Sequence, residues 1–142
     1  MARVTVRSLE KMQQLIITEG HALLSDEPAD GGGDGLGPTP YELLLAALGS
    51  CTAMTLRLYA GRKGIPLESV TIRLTHRRVH ARDCQDCEAT EAAYIDFIER
   101  EILVAGPITE EQREQLLWIA GRCPVNRTLM GTPRVSDTIR PA

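Results

Sequence analysis

Thr39-Pro40-Tyr41-Glu42-Leu43-Leu44-Leu45-Ala46-Ala47-Leu48-Gly49-Ser50-Cys51-Thr52 decides the fold. Thr39 is a helix N-cap, Pro40 suits the first helical position, and Glu42 three residues on completes a T-x-x-E capping box. Apolar side chains from Leu43 to Leu48 cover nearly every face, the pattern of a helix buried on all sides. The helix runs to about Lys63 and stops at Gly64, with Pro66 beyond. Roughly 24 residues at 1.5 Å each give about 36 Å, the width of a small domain, so this helix is its spine.

Around it the chain reads as short strands. Val4 to Val6, Gln14 to Thr18 and His21 to Ser25 form an opening meander, with Glu19-Gly20 as a turn. Residues 26–38 are acidic and rich in glycine, hence loop; they carry no lysine and match neither phosphate-binding glycine pattern. A half-buried strand follows from about Glu68 to Val79, where Val70, Ile72 and Leu74 alternate with polar residues. Tyr94 to Val104 fits a helix or a bulged strand, and β-branched content with the Gly106-Pro107 stop favours strand. Thr109-Glu110-Glu111-Gln112 opens a second capped helix ending near Gly121. Pro124 starts a short third helix with Cys123 at its N-cap, and Val135 to Ile139 is expected as a closing strand. Strands in two groups with helices between them indicate an α+β protein, with the long central helix against antiparallel sheet.

With 142 residues and 43% hydrophobic content, the chain suits one domain over residues 1–142. Sixteen basic and 19 acidic residues give a net charge of −3, which gives no pull toward nucleic acid or an anionic membrane. The sequence shows no spanning segment and no N-terminal signal block, so a cytoplasmic location is expected. Structural disulfides are uncommon there, and the four cysteines then point to redox chemistry, metal binding or burial.

Cys123 precedes a helix, where unpaired N–H groups and the helix dipole favour thiolate; Arg122 and Arg127 lie close in sequence. Cys51 lies about three turns inside an apolar helix, where burial opposes ionisation, and alone it reads as a small core residue. Ala46, Ala47, Gly49, Ser50 and Ala53 around it leave room for a helix or a substrate to approach. A further set, His76, His80, Cys84 and Cys87, has the spacing H-x3-H-x3-C-x2-C. Four residues of strand span about 13 Å, too far for both histidines on one ion. A zinc site of His80, Cys84 and Cys87 with a fourth ligand is easier to build than one using both histidines; a redox C-x-x-C is an equal alternative, and an exposed loop pair without a catalytic role is favoured over either. His21 reads as a strand surface or packing residue rather than a ligand.

Residues 37–52 and Arg122-Cys123-Pro124-Val125-Asn126-Arg127-Thr128-Leu129 together resemble the OsmC/Ohr family, the osmotically inducible and organic hydroperoxide resistance proteins. The similarity extends over nearly the whole chain as a single OsmC-like domain, in a branch similar to sequences with an added His-Ala-x-Asp-Cys-x-x-Cys segment. The resemblance implies an intertwined homodimer and a thiol-dependent peroxidase that reduces organic hydroperoxides and needs no cofactor. Cys51 matches the family's peroxidatic cysteine and Cys123 the resolving one, with a dithiol reductant reopening their disulfide. The family's supporting glutamate falls at Tyr41, with Glu42 one residue later. Its arginine comes from the N-terminal strands, where this chain offers Arg3 and Arg7, and Arg7 is the expected counterpart. Tyr41, Leu48 and Met54 are the expected substrate-contacting side chains. Two other functions fit the residues: a non-catalytic small-molecule-binding or redox-sensing dimer, and a zinc-stabilised structural protein.

Overall fold

A computed structural model describes residues 1–83 and 93–141. The elements run β1 (Thr5–Ser8), β2 (Gln14–Thr18), β3 (His21–Ser25), α1 (Pro40–Lys63), β4 (Ser69–His80), β5 (Tyr94–Ala105), α2 (Glu110–Ala120) and α3 (Pro124–Met130). This is the expected α+β mixture with antiparallel sheets. The chain divides into two compact units, Met1–Ala46 and Ala47–Ala142, with the boundary inside α1.

In the first unit β1, β2 and β3 form an antiparallel meander. Gly20 closes the β2–β3 hairpin with φ 86°, a left-handed conformation that glycine adopts without strain. His21 is exposed on β3, as its sequence context indicates. The glycine-rich stretch is a loop with one 3-10 turn at Ala29–Gly31, and its organiser is Asp26. That buried carboxylate accepts backbone N–H bonds from Glu27 at 2.8 Å and from Asp34 and Leu36 at 3.1 Å. Burial pushes the Asp26 pKa up, but the three N–H donors and the Lys11 charge outweigh it and leave it lowered. The Thr39 capping box forms as read: Thr39 N–H donates to Glu42 Oε2 at 2.7 Å, and Glu42 N–H donates to Thr39 Oγ1 at 3.3 Å.

In the second unit β4 and β5 pair in one regular ladder from Ser69↔Ala105 to His80↔Tyr94, so Tyr94–Ala105 is a strand without a bulge. Val70, Ile72 and Leu74 share a half-buried face with Ile98, Ile102 and Val104. The opposite face carries the pairs Arg73–Glu101 and Arg77–Glu99. Against the apolar face lie α1 and α2, whose Leu56, Ala60, Leu116 and Ala120 make the core with Ile65 and Ile108. Gly49 brings α1 onto the sheet, since a Cβ there would stand 2.9 Å from Leu74 Cδ1. The capping box at Thr109 and Gln112 is also formed.

Three expectations fail. Helix α1 is not buried on all sides: its fully covered residues are Leu48, Gly49, Thr52, Leu56 and Ala60, a stripe at helical spacing, while Met54 and Leu58 are 65% and 62% exposed. Sequence hydropathy reports how apolar the faces are and is silent on what covers them. By length and composition α1 is also apolar enough to cross a membrane, contrary to the sequence reading, though its buried stripe belongs to the core. Val135 to Ile139 is not a strand; among the described residues nothing pairs with it, and β-branched alternation without a ladder partner does not make one.

Candidate thiol site

The cysteine helix and the Cys123 turn come together in the second unit. Cys51 and Cys123 are both free thiols, the first half-buried and the second fully buried. Cys51 is among the groups that hold the Cys123 pKa down. Thr52, the next residue on α1, is also completely buried, and its Oγ1 lies 3.6 Å from Cys123 Sγ. The Thr52 hydroxyl donates to Leu48 O at 2.7 Å and accepts from Arg100 Nη1 at 2.9 Å.

Cys123 is the N-cap of α3, as expected: its Sγ accepts from Asn126 N–H at 3.4 Å. Asn126 is tied down by its own side chain, which donates to Gly121 O at 2.9 Å. Burial pushes the Cys123 pKa up, yet hydrogen bonds from Thr52, Asn126 N–H and Cys51, with the positive charge of Arg100, bring it below the ordinary thiol value. A helix of seven residues has only a small dipole, so these direct partners carry the effect. The acting charge is that of Arg100 on β5, while Arg122 stacks on the Trp118 ring, 3.9 Å from its centroid.

Sequence reasoning missed Thr52, Arg100 and Asn126. Arg100 carried a readable signal: it stands between Ile98 and Ile102 on the half-buried face of β5, opposite Leu74, where the alternation calls for an apolar residue. Thr52 carried a weaker one, as the position four residues after Leu48 and four before Leu56 on the buried stripe. Asn126 acts through its backbone, which side-chain patterns do not report.

The other expected site residues lie as follows. Leu48 belongs to the buried stripe, and Met54 projects from the exposed side of α1. In the first unit Arg7 sits on β1 opposite Leu15, Tyr41 is exposed in the first turn of α1, and the Glu42 carboxylate is engaged in the cap. Cys84 and Cys87 of the expected zinc set lie outside the described residues. His80 packs edge-on against the Tyr94 ring at 5.2 Å and accepts from Arg82 N–H at Nδ1, while His76 Nε2 is 3.0 Å from Asp96 Oδ1. Among the described residues no group of three or more His, Cys, Asp or Glu side chains could hold a metal ion.

The sequence pattern of the OsmC-like protein family matches residues 31–136, which contain both cysteines and Arg100. The chain belongs to the OsmC-like family. Solved structures of similar fold include an OsmC-like protein from Mycoplasma pneumoniae, 21% identical, with a TM-score of 0.74 over 92% of this chain and 88% of that one. An organic hydroperoxide resistance protein OsmC from Legionella pneumophila, 18% identical, gives 0.68 over 92% and 90%. The organic hydroperoxide resistance protein OhrB of Bacillus subtilis, 17% identical, gives 0.63 over 92% and 91%. At these identities the likeness is one of fold. No curated protein matches this chain.

Proposed function

We propose that this OsmC-like protein is a thiol peroxidase that reduces organic hydroperoxides with Cys51 and Cys123. The observation that carries the reading is a half-exposed thiol on α1 whose neighbour in the chain, Thr52, reaches the buried Cys123 thiol at 3.6 Å. The half-exposed Cys51 meets the peroxide, and the buried Cys123 follows. Cys51 thiolate attacks the O–O bond, the S–O bond forms as O–O breaks, and the alkoxide leaves to be protonated to the alcohol. The product is Cys51 sulfenic acid. Cys123 thiolate then attacks that sulfur, forming the disulfide and expelling hydroxide. A dithiol reductant returns both thiols by exchange and leaves as its own disulfide.

The proposal places the protein in the cytoplasm, where reduced thiols persist. It also makes a second copy of the chain the cover for the exposed apolar side of α1 at Met54 and Leu58, giving a homodimer that sedimentation would reveal. Peptide mapping after one equivalent of cumene hydroperoxide tests the chemistry. Wild type should yield a Cys51–Cys123 crosslink, and Cys123→Ser a dimedone-trapped sulfenic acid on Cys51. Oxidation confined to other residues would refute it.

A further inference from the structure

Arg100 is a half-buried guanidinium on the apolar face of β5, and among the described residues no carboxylate pairs with it. Removing a cation from water without a counter-charge is costly, so an anion is expected beside it. Its hydrogen-bond partner is instead neutral, the Thr52 hydroxyl at 2.9 Å, and beyond that oxygen lies Cys123 Sγ at 3.6 Å. The missing negative charge can be supplied by this sulfur.

The hydroxyl has one proton and two lone pairs. The Arg100 guanidinium has donors and no acceptor, so it occupies one lone pair of Thr52. When Cys123 is a thiol, its S–H fills the other, and the Thr52 proton goes to Leu48 O at 2.7 Å. When Cys123 is a thiolate, the proton turns to the sulfur. The Leu48 carbonyl then keeps its helical N–H partner, and a neutral hydrogen bond is exchanged for a charge-assisted one. Donation by Arg100 polarises the O–H and strengthens that second arrangement.

We propose that Arg100, acting through the Thr52 hydroxyl, is the cationic positioning residue that prepares Cys123 to attack in the disulfide-closing step. The inference rests on the thiol peroxidase reading for its place in the reaction, while the charge arrangement itself stands apart from it. The groups facing Cys123 are Cys51 and Thr52 from α1, Arg100 from β5 and the Asn126 N–H of α3, with Arg122 and Arg127 flanking it in the chain.

The test uses full-length protein carrying Cys51→Ser, Cys84→Ser and Cys87→Ser, which leaves Cys123 as the sole thiol, and follows thiolate ultraviolet absorbance against pH. Arg100→Met and the isosteric Thr52→Val should each raise the midpoint by about one unit or more, a tenfold loss of thiolate below it. Thr52→Ser keeps the hydroxyl and should stay close to the parent, as Arg100→Lys, which keeps the charge, should stay closer than Arg100→Met. A midpoint unmoved in folded Thr52→Val and Arg100→Met protein would overturn the inference, as would Thr52→Ser behaving like Thr52→Val. With all cysteines restored, Arg100→Met should accumulate dimedone-reactive Cys51 sulfenic acid where wild type closes its disulfide. If wild type proves inert to peroxide while the midpoint shifts, the peroxidase reading fails and the Arg100 assignment holds. If peroxide is consumed and the midpoint stays, the reverse is true.

Discussion

At Gly49 α1 comes close to the sheet, and replacing it with alanine sets two effects of similar size against each other. Alanine in a helix interior is favoured over glycine by about 1 kcal/mol. The added Cβ, however, would stand 2.9 Å from Leu74 Cδ1, when carbon atoms prefer about 3.5–4.0 Å. The obstacle is the end of a flexible side chain, with the next atoms, of Ile72, at 3.9 Å. Relief therefore needs Leu74 to turn from its preferred rotamer, at about 0.5–1.5 kcal/mol. The two effects nearly cancel, and Gly49→Ala alone should unfold within about 0.5 kcal/mol of wild type. Leu74→Ala alone should cost about 2 kcal/mol, the low end of its class because the side chain is half-buried. In the Leu74→Ala background the clash is gone and Gly49→Ala should stabilise by about 1 kcal/mol. The double-mutant cycle, run by urea unfolding at one protein concentration, should thus give a favourable coupling near 1 kcal/mol. Additivity within about 0.3 kcal/mol would refute the packing described for this face.

Other expectations follow from the same geometry. Leu56, fully buried at the core, should lose about 3–5 kcal/mol on truncation to alanine with an unchanged urea m value. Asp26→Asn should destabilise the protein at neutral pH. Because the folded-state pKa of Asp26 is lowered, its contribution is present above the ordinary carboxylate range and fades as pH falls through the lowered value, so wild type and variant should converge in acid. Thr39→Ala should cost about 1 kcal/mol through loss of the α1 cap, whereas Glu42→Gln preserves the cap geometry; a large fall in peroxide turnover in folded Glu42→Gln would assign the carboxylate a chemical role.

Local signals in the sequence were sufficient for most of the fold. Both capping boxes, Pro40, Gly64 and the alternation in β4 mark their elements because each is decided by a few neighbouring residues. What depends on a covering surface was not legible: the burial of α1 was overread from its apolar content, and Val135 to Ile139 lacks the neighbour that would make it a strand. The site divided in the same way. Cys123 was readable because an N-cap is a local motif, and Cys51 because its helix resembles a family. Arg100 lies 48 residues from Thr52, and the β-branched content of Tyr94 to Val104 identifies a strand without singling out the charge between Ile98 and Ile102. A charged residue on the wrong face of a strand was the informative departure.

The most direct test of the central claim is stopped-flow reaction of the reduced protein with cumene hydroperoxide, comparing wild type with Cys51→Ser and Cys123→Ser. Wild type should consume peroxide over many turnovers with a dithiol present, Cys123→Ser should stall after one equivalent, and Cys51→Ser should be inert. Wild-type consumption no faster than that of Cys51→Ser would contradict the account.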